Sequence, residues 1–509
     1  MDWFYSIMII TLLSLDSIES KRKRPNIIMF VADDLGYGDL SYYGHPTSST
    51  PHIDNIISKS MWFSNYYTTS PVSSPSRASL FTGEYPMRSG IYPGVFFPNS
   101  TGGLDPSKKT IMKELRDRFG YKSALIGKWH LGVGKNAEYL PTVSKNFDSY
   151  YGIPYSHDMC PCTECFPNKE CSSSCNSNFV PCPLFEDNGI KEQPTNLSKL
   201  TQKYTNRAIQ FIKSNRNNSY FLTYAFHQTH DPQFAGLKFV NTSIRGSFGD
   251  ALSEMDDAIG QIMQFLKKSD LLTETLVIFT SANGPNISRQ GQGGCAGPFR
   301  CGKGTTYEGG VRVPLFMHWS GFIQPYKSHV LITALDIYPT LMSMVSVQYK
   351  NSTDGFDFTR HILKQKLDYN PRELLLYFPG HANKTIGPYA VRYKNYKAHF
   401  YTEGNELSDG NNYDIACTKN ANLTHQNPPL LYDLNLDPGE RFPMNIHDNH
   451  DIILEIQYEA FKKLKTINWA DGEMLKPNSN DAQPCSRKGC RNFPECCNTL
   501  STYPTIMIV

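Results

Sequence analysis

The sequence lacks a surplus of charge of either sign: 50 Lys and Arg face 47 Asp and Glu, a formal net charge of +3 over 509 residues. So even a balance creates no long-range field for nucleic acid. The one dense basic patch, Lys21-Arg22-Lys23-Arg24, reads as a solvated stretch. Long apolar runs are missing as well. Trp3 to Leu13 (WFYSIMIITLL) is too short to span a bilayer, and small residues follow at Ser17 and Ser20, so residues 1–20 read as a secretory signal peptide. No later run is long enough to cross a membrane, and an integral membrane protein is not expected. Internal repeats and low-complexity tracts are absent too, which leaves solenoids and disordered tails out of consideration.

Cysteine, by contrast, is plentiful, with 13 residues. Cys160, Cys162, Cys165, Cys171, Cys175 and Cys182 form one cluster and Cys485, Cys490, Cys496 and Cys497 another. Such clusters suit disulfides in an oxidising compartment. Cys162-x-x-Cys165 also has the spacing of a zinc site, the weaker explanation in an exported chain. Sequons at Asn99, Asn196, Asn217, Asn241, Asn286, Asn351, Asn383 and Asn422 fit a glycoprotein of the secretory route, extracellular or lysosomal. The odd cysteine count leaves at least one thiol free or paired outside the chain.

A chain this long exceeds what one core usually serves. Four short apolar runs each end abruptly in polar residues. Asn26 to Val31 leads into Asp33-Asp34, and Ser123 to Ile126 into Gly127-Lys128-Trp129-His130. Tyr220 to Phe226 leads into His227 to His230, and Thr275 to Thr280 into Ser281-Ala282-Asn283-Gly284. These read as buried strands of a largely parallel sheet. Helical patterns lie between them, as at Ile111, Leu115 and Phe119 and at Ile259, Ile262, Met263 and Leu266. The alternation predicts a doubly wound α/β domain over 21–370, whose ligands gather where the strands end. Any one of these clusters could be an ordinary turn with capping carboxylates; four together favour a site. Beyond Asn370-Pro371, strand-like stretches at Tyr389 to Thr402 and Leu430 to Leu436 flank a turn near Asp409-Gly410-Asn411. A helix bearing Ile453, Ile456, Ala460 and Leu464 follows. A smaller α+β domain with an antiparallel sheet and a cysteine-rich tail is predicted over 371–509.

Adjacent carboxylates at Asp33 and Asp34 suit a hard divalent cation, although a lone pair is more often a cap. Ser73 precedes Pro75-Ser76-Arg77 and Leu80-Phe81-Thr82-Gly83, a turn entering a helix that sets a hydroxyl beside backbone N–H groups and a guanidinium. Together with GKWHLG (Gly127 to Gly132), GIPYSHD (Gly152 to Asp158), CGKGTTYEGGVR (Cys301 to Arg312), Leu431 to Leu434 and Asp437 to Glu440, this chain resembles the sulfatase family, and within it the arylsulfatases. The resemblance covers nearly everything after residue 20. It implies that Asp33, Asp34 and Asn283 are calcium ligands and that Ser73 stands at the nucleophile. It assigns Arg77 and Lys128 to holding nucleophile and sulfate, and His130 to acting as base on the nucleophile's hydrate. Ser156, His230 and Lys303 fall on the substrate side, His230 or Lys303 supporting the leaving oxygen. It also implies a Cys301 to Cys417 disulfide, and as partner a sulfated small molecule, lipid or glycan.

Three positions depart from the family. Its signature begins with a cysteine that is oxidised to formylglycine, whose hydrate carries two hydroxyls: one attacks sulfur, and deprotonation of the other expels sulfate. Ser73 has one hydroxyl, formylglycine is not expected there, and a sulfated serine would be a trap. Ala282 stands where the family has a metal-binding aspartate, which lowers the expected calcium affinity. Glu84 replaces an arginine. The expectation is a secreted sulfatase-like glycoprotein impaired in turnover that binds sulfated ligands. An active sulfatase with oxidised Ser73 and a Ser73-dependent phosphate ester hydrolase are the alternatives.

Overall fold

The computed structural model describes residues 24–160, 182–346, 353–364, 366–405 and 414–484. The expected signal peptide, Cys162 to Cys175, Cys485 to Cys497, the Asn351 sequon and the expected turn at Asp409 to Asn411 lie outside the described residues. Strands in chain order are β1 (Asn26–Ala32), β2 (Met61–Phe63), β3 (Tyr66–Tyr67), β4 (Lys122–Gly127), β5 (Ser149–Gly152), β6 (Leu184–Glu186), β7 (Gly189–Glu192) and β8 (Tyr220–Ala225). They continue with β9 (Thr275–Ser281), β10 (Leu315–His318), β11 (Tyr326–Ser328), β12 (Ile332–Thr333), β13 (Leu374–Tyr377), β14 (Ala390–Tyr393), β15 (Tyr396–Thr402) and β16 (Thr424–Asp433).

Ten strands form one sheet in the order β11-β2-β10-β9-β1-β8-β4-β5-β6-β7. Its centre is parallel: β1 pairs with β8 on one side and β9 on the other, and β4 joins β8 and β5. The flanks are mixed, because β10 runs antiparallel to β9 and β2, and β6 to β5 and β7. All seven residues of β1 are buried, as an apolar run covered on both faces requires. Each large side chain there contributes roughly 1.5–3 kcal/mol of gross burial. Helix Gly246–Lys268 buries Met255, Ile259, Ile262 and Leu266 at three- and four-residue spacing. Helix Ser73–Thr82 is buried on every side and packs on helix Ala334–Val345, so it belongs to the core rather than the surface.

The second sheet is antiparallel, in the order β13-β14-β15-β16. Helix His450–Leu464 covers β13 and β14, with Ile453, Ile456 and Ala460 buried. The stretch from Tyr389 to Thr402, read from sequence as one segment, is a hairpin turning at Lys394, which adopts φ 54°. No glycine or proline marks that turn, so alternation alone could not reveal it. The strand expected at Leu430 to Leu436 runs instead over Thr424–Asp433, ending where the Asp433 carboxylate accepts the Asn435 N–H at 2.9 Å. Asn196, Asn217, Asn241, Asn383 and Asn422 are exposed. Asn286 is not: its side chain is buried and its amide oxygen accepts from the Ser288 hydroxyl, so this sequon is closed in the folded chain.

A disulfide joins Cys301 to Cys417, and beside it a buried ionic network ties the second sheet to Glu308 and to Tyr67 of β3, which pairs with β12 in a separate two-stranded sheet. Glu308 accepts from Lys397 at 3.0 Å, Arg312 at 3.1 Å and the Tyr67 hydroxyl at 2.7 Å. Glu440 accepts from Lys397 at 3.0 Å and pairs with His399 at 2.6 Å. Lys397, held between two carboxylates, is fully buried. Replacing it with methionine leaves both carboxylates without their shared cation, and a loss of about 3–5 kcal/mol is expected in urea unfolding at neutral pH. Burial pushes the Glu440 carboxyl up, but Lys397 and His399 outweigh it and hold it at about 2, below the ordinary 4.5. Its ionised form therefore favours the folded state, and that contribution is lost as pH falls from about 4.5 to about 2. Glu440→Gln is expected to flatten this part of the stability profile, measured by thermal unfolding across the range.

Candidate active site

Four central strands deliver their polar ends to one place. β1 ends at Ala32, directly before Asp33 and Asp34; β4 runs into Lys128 and His130; β8 into His227 to His230; β9 into Ala282 and Asn283. Backbone bonds lock these ends together: Asp33 N–H to the Gln228 carbonyl (2.8 Å), Thr229 N–H to that of Asp33 (2.7 Å) and Ala282 N–H to that of Ala32 (2.9 Å). Asp34, His130 and Cys301 all have φ between 56° and 59°, a left-handed conformation that non-glycine residues adopt at a cost and that clusters at functional sites. Gly127 is required, because a Cβ there would lie 1.8 Å from the Ala225 carbonyl oxygen. Ser73, the first residue of helix Ser73–Thr82, enters the same space from above the sheet.

Asp33 is the hub. One of its oxygens accepts from Lys128 Nζ at 2.6 Å, the other from Arg77 at 3.1 Å and from the Ser73 hydroxyl at 2.9 Å. Ser73 Oγ also lies 3.1 Å from the Asn283 amide oxygen, and Asn283 Nδ2 donates to Asp34 at 2.7 Å. Lys128 donates to Ser156 Oγ at 2.8 Å. Lys303 Nζ donates to Asp34 at 2.7 Å and lies 2.9 Å from His230 Nε2. His130 Nε2 is 3.0 Å from the Phe96 carbonyl. Every residue that the sequence placed at the site thus converges, Ala282 included.

Burial pushes the Asp33 carboxyl up, but Lys128, Arg77 and more distant cations outweigh it and hold it well below the usual carboxylate range. Burial pulls Lys128 down, and Asp33 offsets only part of that. Lys303 is also pulled down by burial, yet Asp34 and Asp33 more than compensate and raise it. His130 lies well below its ordinary value through burial and the neighbouring Lys128 and Arg77. Sequence reasoning missed Asp158 and His157. Burial pushes Asp158 up, but His230, Lys128 and His157 hold it at about 2. His157 packs edge-on against both His227 and His230. Both adjoin Ser156 in sequence, but only the fold brings Lys128 and His230 beside Asp158.

The donor set falls short of a calcium shell. Calcium takes six to eight oxygens, usually with several carboxylates. Here Asp33, Asp34 and Asn283 carry the side-chain oxygens, and Ala282 offers none. The Ala282 carbonyl is itself taken by the Ser76 hydroxyl. Among the described residues no three His, Cys, Asp or Glu side chains bring ligand atoms together at this site; the one such group, Cys301, Asp414 and Cys417, contains a disulfide.

Asp33 and Ser73 differ sharply in what they support. Asp33→Asn leaves Arg77 and Lys128 buried against a neutral amide, for an expected cost of about 3–5 kcal/mol. Ser73→Ala removes one of three donors to Asp33 and should cost at most about 1.5 kcal/mol. Denaturant unfolding of both variants separates these outcomes.

The chain matches the family model for Sulfatase over residues 25–347 and that for the C-terminal region of aryl-sulfatase over 370–498. It is 40% identical to arylsulfatase A of Homo sapiens over 501 residues, covering 96% of this chain and 97% of that protein. It is 31% identical to N-acetylgalactosamine-6-sulfatase of Mus musculus over 517 residues, 94% of each chain. The crystal structure of PsFucS1 sulfatase from Pseudoalteromonas sp. superposes with a TM-score of 0.74 at 26% identity, covering 93% of this chain and 95% of that one. The fold, the converging strand ends and these likenesses agree: the chain belongs to the sulfatase family.

Proposed function

We propose that this protein is a sulfatase-family glycoprotein of the secretory route that binds sulfated small molecules, lipids or glycans and hydrolyses them poorly or not at all. The observation that carries the binding half is the pocket's unmet donor. Arg77 is 99% buried, yet its Nε–H has no hydrogen-bond partner among the described residues. A buried guanidinium N–H left unpaired is costly, and an oxyanion satisfies it. His130 Nδ1 is also buried without a partner, but with Nε2–H on the Phe96 carbonyl it is the lone-pair nitrogen of the ring and offers an oxyanion no hydrogen bond. Lys303 and His230 supply further cationic or hydrogen-bonding contacts at the partly open side of the cluster, their side chains 11% and 8% exposed.

The hydrolytic half fails on oxygen count. The Ser73 hydroxyl donates to Asp33, which would have to take its proton on attack although Lys128 and Arg77 make it a weak base. Attack of Oγ on sulfur would form a serine sulfate and break the bond to the ester oxygen, which would leave as an alcohol after taking a proton from Lys303 or His230. The product has no second hydroxyl on Cβ, so the expulsion step open to an aldehyde hydrate is closed. Release would require water to attack sulfur in a stable ester.

Two measurements test this reading. Incubation of the purified chain with 4-nitrophenyl sulfate should give no steady release above the buffer rate, and sustained turnover would overturn it. The peptide containing Ser73, taken from the native source, should have the unmodified serine mass. A peptide lighter by two hydrogens would identify oxidised Ser73 and favour an active sulfatase instead. Turnover of 4-nitrophenyl phosphate, lost in Ser73→Ala, would point to a phosphate ester hydrolase.

A further inference from the structure

A cation for Asp34 is built into the chain itself. Lys303 Nζ sits 2.7 Å from Asp34 Oδ2, and the loop carrying it is tied down on both sides. Cys301 is held by its disulfide to Cys417. Lys303 N–H donates to the Pro285 carbonyl at 2.8 Å and Gly304 N–H to that of Pro71 at 3.1 Å. Pro285 lies two residues beyond Asn283, and Pro71 two residues before Ser73. The backbone that carries Lys303 is thus anchored to the segments that carry the other site residues, and its ammonium reaches Asp34 from that fixed point.

Charge gives this contact its meaning. Leaving the histidines aside, Arg77, Lys128 and Lys303 face Asp33, Asp34 and Asp158, three cations to three carboxylates. An aspartate at position 282 would tip the cluster toward excess negative charge, which a divalent ion would satisfy. With Ala282, 2% exposed and packed in the main core, that excess does not arise. A divalent ion entering here would overcharge the cluster, would find too few oxygens, and would have to compete with Lys303 for Asp34.

We propose that Lys303 is the resident counter-ion of Asp34 in this chain, so that the pocket is assembled, and holds a sulfate ester, without calcium. The second half rests on the ligand-binding reading above; the first stands alone. The test uses the full-length glycoprotein dialysed against EDTA, with calcium titrated by calorimetry and by thermal unfolding. Wild type should show no saturable response at millimolar calcium. Ala282→Asp, which restores a carboxylate, and Lys303→Met, which removes the competing ammonium, should each gain calcium binding by at least ~10-fold in affinity, with a matching rise in melting temperature. Should Ala282→Asp not fold, Ala282→Asn supplies a neutral oxygen at the same position. Submillimolar calcium binding by wild type, unimproved in Lys303→Met, overturns the counter-ion role. The dissociation constant for 4-nitrophenyl sulfate should agree within about twofold between EDTA and calcium buffers, and a ~10-fold weakening in EDTA overturns metal-free binding. Absence of binding in both buffers overturns the ligand-binding reading, whereas the calcium titrations judge Lys303 by themselves.

Discussion

The fully buried carboxylate of Asp33 is the constraint around which the site is organised. A carboxylate with no solvent exposure is tolerated only when paired and fully hydrogen-bonded. Its partners, Lys128, Arg77 and Ser73, come from the end of β4 and from the buried helix Ser73–Thr82. None of these elements can shift without uncovering a charge. The demand to satisfy Asp33 thus fixes the spacing between sheet and helix, and it brings two buried cations to the end of β1.

Much of this was legible in sequence because it rests on short-range pattern. Buried parallel strands are apolar throughout and end where the chain turns polar, so β1, β4, β8 and β9 and their trailing site residues could be read directly. The helices around Ile111 and Ile453 followed from apolar spacing and recur at Ile111–Phe119 and His450–Leu464. What escaped depended on partners far away in the chain. Lys394 carries a hairpin turn that its residue type does not announce. Asp158 looks like an ordinary turn residue until the fold brings Lys128 and His230 beside it. Asn286 satisfies a sequon but is closed by burial, which a three-residue pattern cannot express.

The two departures at positions 73 and 282 are physically linked. Ser73 donates to Asp33 and sits 3.1 Å from the Asn283 amide oxygen, while Asn283 in turn donates to Asp34. The hydroxyl has one proton for two acceptors, Asp33 and the Asn283 amide oxygen, so hydroxyl, amide and both carboxylates form one line of contacts, with Lys303 at its far end. Losing the aspartate next to Asn283 therefore alters the charge felt along the same line of contacts that orients Ser73. A serine confined there fills its space and satisfies Asp33, so the site is closely packed and hydrogen-bonded with a single hydroxyl at position 73.

The second sheet has a part in that pocket although it contributes no site residue. Glu308 lies five residues after Lys303, in the loop that also begins with the disulfide-bonded Cys301. The backbone N–H of Glu308 donates to Glu440, and its carboxylate is held by Lys397, both from the second sheet region. The loop is therefore gripped by a covalent bond at one end and by buried ions at the other, with Lys303 between them. Weakening the grip would free the ammonium from Asp34 and leave a buried carboxylate short of its partner. The second sheet region thus bears on the site through the loop that carries Lys303, held by the disulfide on one side and by the Glu308 contacts on the other.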